Sequence, residues 1–244
     1  MKLTRRSFLI SSAFSALYLL TGCSEGEHAA ASGTLTAQKS ASGLSYWFYA
    51  PQDASSSKPL ILYLHGGSGK GSDLDKVLSV DGLPRYLQQS SLLPDAYVAI
   101  PQLPSSCKGW SDRASQLLAL LSEVKQKYSI SSIALTGHSM GGTGTWDLAL
   151  AYPETFSAVA PLSGSVQMTA QNVETLRNLP TWAIVGGADT IVPPDSSIQF
   201  MQALQKTNPN AHLTVLENAT HFDVPQVYLN ETLDLLGWLT SQHR

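Results

Sequence analysis

Gly137-His138-Ser139-Met140-Gly141 sets a serine between two spaced glycines at the end of an apolar run. That pattern suits nucleophilic catalysis. The residues before it, Ser131 to Thr136, read as a strand, and the residues from Thr143 read as a helix. The motif therefore has the strand–turn–helix setting in which a serine is lifted clear of a sheet on a sharp, strained turn. Side chains at 137 and 141 would collide with the strand and the helix there. The hydroxyl is left above a helix N-terminus, where backbone amides face developing negative charge.

A serine hydroxyl needs a base, and the base needs an acid to orient it. With this motif the chain order is serine, acid, histidine. Six histidines are available. His138 precedes the nucleophile, His65 and His212 lie in or at apolar runs, and His28 and His243 lie near the ends. His221, in Asn218-Ala219-Thr220-His221-Phe222, falls in a loop after the last apolar run and is the expected base. For the acid, Asp189 follows Thr181 to Val185 through Gly186-Gly187-Ala188. Asp195 is its rival, but it follows Pro193-Pro194 and suits a helix cap. Asp223 is too near His221 in sequence to orient it. The oxyanion donors are expected to be the Met140 amide and the Gly67 amide of His65-Gly66-Gly67, with Gly66 the alternative. His65 is expected to shape that loop by hydrogen bonding to backbone.

Other chemistries fail on spacing or composition. Gly66-Gly67-Ser68-Gly69-Lys70-Gly71 lacks the spacing of a phosphate loop, and no residue type follows Lys70 that would hold magnesium. No Cys/His cluster has zinc-site spacing, so no metal or other cofactor is expected. A net charge of −3 over 244 residues argues against a nucleic-acid partner. Two cysteines cannot form a disulfide framework. Hydrophobic content of 43% is ample for a core, and the length fits one large α/β domain.

The elements that must position these residues are visible as apolar runs alternating with amphipathic segments. The runs are Tyr46–Ala50, Leu60–Leu64, Tyr97–Pro101, Ser132–Thr136, Ala158–Leu162, Thr181–Val185 and His212–Leu216. Their near-continuous apolar character suits strands buried on both faces of a parallel sheet. Helices are expected over Arg113–Tyr128, Thr143–Ala151, Ser196–Lys206 and Val227–Ser241. The alternation implies a mostly parallel α/β sheet flanked by helices. Between Gly164 and Thr181 there is room for one short helix and none for a cap domain, so an open site is expected. Trp110 and Phe222 are the aromatic candidates for its rim.

The N-terminal stretch reads as an address. Lys2, Arg5 and Arg6 precede an apolar segment, Phe8 to Leu20, too short to span a bilayer. Thr4-Arg5-Arg6-Ser7-Phe8-Leu9 resembles the twin-arginine export motif. Leu20-Thr21-Gly22-Cys23 resembles the bacterial lipobox, which implies cleavage before Cys23 and a lipid on its sulfur. Residues 1–22 are thus expected to be a signal peptide. Removing their three cations would take the formal charge from −3 to −6. The protein would then be an exported lipoprotein, anchored through Cys23 and facing the periplasm or the cell exterior. Residues 23–43, rich in Ser, Ala, Gly and Thr, are expected to be a flexible tether, and residues 44–244 the folded domain.

Across residues 44–244 the chain resembles the α/β-hydrolase family. The matching segments are Leu64-His65-Gly66-Gly67, Ala99-Ile100-Pro101-Gln102, Gly137-His138-Ser139-Met140-Gly141-Gly142, Tyr152-Pro153-Glu154-Thr155-Phe156, Pro161-Leu162-Ser163-Gly164, Gly187-Ala188-Asp189 and Thr220-His221-Phe222. The nearest likeness is to small secreted serine esterases of the feruloyl-esterase, polyhydroxybutyrate-depolymerase, phospholipase/carboxylesterase and "predicted peptidase" type. The resemblance implies the α/β-hydrolase fold without a large cap and cleavage of small or polymer-borne carboxylic esters through Ser139, His221 and Asp189. Related members with a cysteine nucleophile act on dienelactones, and Ser139 argues against that subgroup. A prolyl-oligopeptidase-like peptidase and a non-catalytic binding protein on the same scaffold are the alternatives.

Overall fold

Leu60, Leu62 and Leu64 pack into one hydrophobic layer and Ile61 and Tyr63 into another, and all five are buried. That alternation is the signature of a central strand covered on both faces. The computed structural model describes residues 33–80 and 82–243. Its strands are β1 (Thr34–Lys39), β2 (Ser45–Ala50), β3 (Lys58–Leu64), β4 (Tyr97–Pro101), β5 (Ile130–His138), β6 (Ala158–Leu162), β7 (Thr181–Gly186) and β8 (Ala211–Leu216). The helices are α1 (Asp75–Leu78), α2 (Leu83–Gln88), α3 (Ala114–Lys127), α4 (Met140–Ala151), α5 (Ala170–Thr175), α6 (Asp195–Leu204) and α7 (Leu235–Ser241).

The eight strands form one sheet in the order β1-β2-β4-β3-β5-β6-β7-β8. From β4 to β8 neighbouring strands are parallel, while β1 and β2 are antiparallel additions at one edge. This is the mostly parallel α/β architecture expected. One face buries Leu117, Leu120, Leu121 and Val124 of α3 with Trp146 and Leu148 of α4 and Phe200, Met201 and Leu204 of α6. The other face buries Leu83 and Leu87 of α2 with Leu235, Leu236 and Leu239 of α7.

Strand β3 pairs with β4 on one side and with β5 on the other. The winding therefore reverses at β3, and a crevice opens beyond the carboxyl ends of β3 and β5. Ligands of open α/β sheets bind at such switch points. The loop carrying His65-Gly66-Gly67 and the turn carrying Ser139 both leave the sheet there.

Two expectations change. The flexible tether was expected to run through residue 43, but Thr34–Lys39 is strand β1, paired with β2 from Thr34 opposite Ala50 to Lys39 opposite Ser45. Leu35 packs partly against the core, and Thr36 Oγ1 donates to the Phe48 carbonyl at 3.4 Å. Polar side chains on the exposed face hide this strand in the sequence. The long last helix divides into a 3-10 segment, Val224–Leu229, and α7. Pro225 opens the first part, and Asn230 Oδ1 accepts from the Thr232 and Leu233 amides, which ends it. Short helices α1 and α2 add to the layer before β4. The signal-peptide reading of residues 1–22, the rest of the tether up to residue 32 and the lipid attachment expected at Cys23 lie outside the described residues. Among the described residues no helix is long and apolar enough to cross a membrane.

Candidate active site

Strand β5 ends at His138 and α4 begins at Met140, so Ser139 is the whole of the turn between them. Its backbone sits at φ +61°, ψ −122°, a region that non-glycine residues rarely adopt. The flanking glycines follow from crowding. A Cβ on Gly137 would lie 2.5 Å from the Leu64 carbonyl oxygen, and one on Gly141 would overlap the same oxygen. Helix α4 therefore starts pressed against the end of β3, with its N-terminus and the Met140 amide at the crevice. The Thr143 amide donates to Ser139 O at 2.9 Å, which closes the first turn of the helix.

The next parts come from β7 and β8. Asp189 follows the end of β7 and is 5% exposed. One carboxylate oxygen accepts from the Ile191 and Val192 amides, each at 2.9 Å. The other accepts from His221 Nδ1 at 2.7 Å. Burial pushes the Asp189 pKa up. The Val192 amide, His221, the Ile191 amide and the neighbouring Ser163 hydroxyl outweigh that and hold it below its ordinary value. His221 thus carries its proton on Nδ1 and leaves Nε2 as an acceptor. Asp223 Oδ2 accepts from Thr220 N at 2.8 Å and Thr220 Oγ1 at 2.6 Å, so it shapes the turn that bears His221. Asp195 is not the cap expected: Pro194 takes the capping position with no side-chain cap bond, and Asp195 is the first residue inside α6.

His138, next to Ser139 in the chain, ties this group to the serine turn. Its Nε2 donates to the His221 carbonyl at 2.9 Å, and the two rings lie 4.6 Å apart. Ser139 and His221 line one cleft of about 440 Å³ with Gly66, Gly67, His138 and Phe222. Among the hydrogen bonds of the described residues there is none between Ser139 and His221. Contacts of that kind commonly tighten only when substrate arrives.

The third wall is the loop after β3. Gly66 is so close to the serine turn that a Cβ on it would lie 3.3 Å from Ser139 Cβ, and one on Gly67 would lie 3.6 Å from the Met140 methyl. Gly67 begins a short 3-10 turn, Gly67–Gly69, whose first amides have no partner within the turn. His65 holds this loop from behind. Its Nδ1–H donates to the Gly66 carbonyl at 2.6 Å, and its Nε2 accepts from the Leu103 amide at 3.0 Å. Accepting at Nε2 requires the neutral ring, and burial lowers the His65 pKa to about 4. Gln102 Nε2 donates to Gly69 O at 3.0 Å and to Asp73 O at 2.6 Å, further tying the loop to the segment after β4.

The two rim candidates part company. Phe222 is 66% exposed and lines the cleft. Trp110 is not on the rim. It is fully buried, its Nε1–H donates to the His65 carbonyl at 3.0 Å, and its ring meets the His65 ring edge-on at 4.9 Å. The reason is steric and polar together. Gly144 of α4 leaves a slot that the indole fills, since a Cβ there would lie 2.6 Å from Trp110 Cβ, and the His65 carbonyl satisfies the indole N–H. Lys76, Ser79 and Val80, on and just after α1, also line the cleft. Nothing in their sequence pattern marked them, because a helix of four residues leaves no periodicity. Among the described residues no cluster of His, Cys, Asp and Glu could hold a metal ion. Cys107 is buried, and its sulfur accepts from Arg113 Nε at 3.2 Å.

Known proteins share this arrangement of elements. A thermostable esterase superposes with a TM-score of 0.70 at 22% identity, covering 87% of this chain and 64% of its own. The feruloyl esterase module from Clostridium thermocellum gives a TM-score of 0.66 at 17% identity, covering 88% and 90%. These likenesses establish the α/β-hydrolase fold. By sequence, Cutinase est1 of Thermobifida alba is 33% identical over 52% of this chain and 44% of its own length. A bis(hydroxyethyl) terephthalate hydrolase of Streptomyces coelicolor is 32% identical over 45% of this chain and 36% of its own. The matched stretches thus span less than half of either relative. A family model spans residues 103–227, from just after β4 to the segment beyond His221, and so takes in Ser139, Asp189 and His221 together. That match covers half of the chain with a serine, not a cysteine, at the elbow, and by it the chain belongs to the dienelactone hydrolase family.

Proposed function

We propose that the protein is a serine carboxylic-ester hydrolase that works through an acyl-enzyme. The observation that carries this reading is the 2.7 Å bond between His221 Nδ1 and buried Asp189, made at the edge of the cleft that Ser139 lines. Nε2 of that imidazole is free to accept the Ser139 proton as Oγ attacks the acyl carbon, and then to return it to the departing alcohol. Asp189 stabilises the imidazolium that forms in between. The Met140 and Gly67 amides receive the oxyanion, each such donor contributing roughly 3–4 kcal/mol to the transition state. Water, activated by the same histidine, releases the acid.

The cleft stays open because only α5 lies between β6 and β7. An open cleft beside an exposed phenyl ring suits small esters and esters borne on a polymer. The names of the two curated relatives, a cutinase and a terephthalate-ester hydrolase, agree with that class. The test is Ser139→Ala assayed on p-nitrophenyl acetate, with turnover expected to fall by roughly 10⁶-fold. A variant that still works near the wild-type rate would overturn the reading. A panel of acyl esters, feruloyl esters and aminoacyl amides tests the bond cleaved, and a preference for amides would favour a peptidase.

Export and anchoring through a lipid on Cys23 belong to the same reading, on the strength of the sequence motifs alone. Mass analysis of membrane-extracted protein is expected to find a diacylglycerol-modified Cys23 as the first residue. A soluble product with unmodified Cys23 would refute it.

A further inference from the structure

The sheet has two edges, β1 and β8. Edges are usually guarded by charge, proline, a bulge or a covering segment, because unpaired amides and carbonyls invite another strand. Strand β1 ends on the exposed Lys39. Strand β8, Ala211-His212-Leu213-Thr214-Val215-Leu216, holds no Asp, Glu, Lys, Arg or Pro. It pairs with β7 residue for residue without a bulge, and Val215 is 39% exposed. Among the described residues no strand pairs with its outer side.

The bonds to β7 decide which backbone groups of β8 face outward. The Thr181 amide donates to Asn210 O at 3.1 Å, and the Gly187 amide donates to Leu216 O at 2.9 Å. Alternation along the ladder therefore turns His212 and Thr214 toward β7, and Ala211, Leu213 and Val215 away from it. Ala211 is already satisfied. Its amide donates to Asn208 O and its carbonyl accepts from Gln205 Nε2, each at 3.2 Å. Leu213 and Val215 are left with two amides and two carbonyls facing out.

Those groups are complementary to a copy of themselves. We propose that β8 pairs antiparallel with β8 of a second copy of this chain, about a two-fold axis at Thr214. Leu213 then lies opposite Val215 of the partner subunit, and Val215 opposite Leu213 of the partner subunit, which satisfies every outward group. A pairing centred on Leu213 would instead set Val215 against Ala211, whose groups are taken. The side chains agree with this register. Thr214 meets its own copy and His212 faces a leucine, so no like charges oppose each other although the chain is net negative. On the Thr214 face a groove of about 690 Å³ runs beside the strand, lined by Trp182, His212, Leu213, Thr214, Leu233 and Trp238. Its two indoles are half-buried and stand edge to face at 5.4 Å. The axis sets the grooves of the two copies side by side, so this aromatic surface is covered as the strands pair. An isologous pair closes on itself and leaves no β8 edge to recruit further chains.

The test uses the full chain in the cells that make it. In this register the two Thr214 Cα atoms form a non-hydrogen-bonded pair about 4.5 Å apart, within reach of a disulfide. Leu213 and its own copy lie on a diagonal of roughly 7–8 Å, beyond that reach. Cells producing Thr214→Cys are oxidised with copper–phenanthroline and run on a non-reducing gel, beside Leu213→Cys, Lys39→Cys and wild type. The expected result is a disulfide-linked dimer from Thr214→Cys and at most a trace from the other three. Adding Val215→Lys, which sets charge on the outer edge, is expected to cut that dimer by about tenfold or more. Circular dichroism of purified Val215→Lys checks its fold, and should it not fold, the cysteine pattern alone decides. No dimer from Thr214→Cys, an equal band from Leu213→Cys or Lys39→Cys, or a dimer that folded Val215→Lys leaves intact would overturn the proposal. Cover of β8 by another segment of this chain would give the first of those results.

Discussion

Replacing Asp189 with asparagine isolates the charge of the acid from its shape. The side chain is 1% exposed, and the amide oxygen of asparagine can still accept from the Ile191 and Val192 amides, so the loop after β7 should hold. The other end of the side chain changes sign. Where a carboxylate oxygen accepts from His221 Nδ1 at 2.7 Å, asparagine presents an NH₂ donor. His221 must then move its proton to Nε2, which points a donor instead of an acceptor at Ser139. The imidazolium of the transition state also loses its counter-charge. At a charge separation of about 4 Å and an effective dielectric near 20, that loss is roughly 4 kcal/mol, about a thousandfold in rate. The tautomer penalty adds to it, for a total near 10⁴ in kcat, in line with the same exchange in other serine triads. The assay is kcat on p-nitrophenyl acetate for wild type and Asp189→Asn, with circular dichroism and thermal unfolding to show that the variant is folded. A folded variant within tenfold of wild type would refute the assigned acid.

Further outcomes follow from the same geometry. His65 is buried neutral with its pKa lowered from 6.5 to about 4, so the unfolded chain binds a proton that the folded chain refuses in that interval. Its contribution, up to about 3 kcal/mol, is present above pH 6.5, shrinks as pH falls toward 4 and is gone below it. Urea unfolding across that range should show wild type losing stability more steeply than His65→Gln, and equal slopes would argue against the assignment. Gly141→Ala drives a methyl into the Leu64 carbonyl and is expected to cost about 4 kcal/mol or more, read as loss of soluble folded protein. Phe222→Ala should raise KM for bulky esters a few-fold with little change in melting temperature, because the ring is exposed. Trp110→Ala, by contrast, should lower stability by roughly 3–5 kcal/mol, since that ring is fully buried.

Much of the site was legible because steric demands at the turn leave few residue choices. Glycines two residues either side of a serine mark a place where β3, β5 and α4 come too close for side chains. That Asp189 and not Asp195 meets His221 was readable for a similar reason: glycines just past a strand end let the chain turn at once, whereas paired prolines announce a helix. Exposure was not readable. Trp110 and Phe222 looked alike as aromatic loop residues, and only the slot left by Gly144 separates a buried indole from an exposed phenyl. Strand β1 was hidden because five of its six residues, in Thr34-Leu35-Thr36-Ala37-Gln38-Lys39, are polar or small and an edge strand needs little burial. The last helix was overread because an apolar run spans its break, and Asn230 and Asp234 interrupt it through side-chain capping, which periodicity does not register.

The reversal of winding at β3 also bears on how the protein comes to life after synthesis. The strained serine turn is held against the end of β3, and β3 meets β5 only after the whole of β4 and α3 has been laid down between them. That pairing closes a loop of well over fifty residues, a slow kind of event in folding because entropy is spent before contacts repay it. Partly folded chains with α3 and α4 already formed would still lack a crevice, so the regain of esterase turnover during refolding should lag behind the regain of helical signal. Activity would then be a clock for the last long-range step in assembling the sheet.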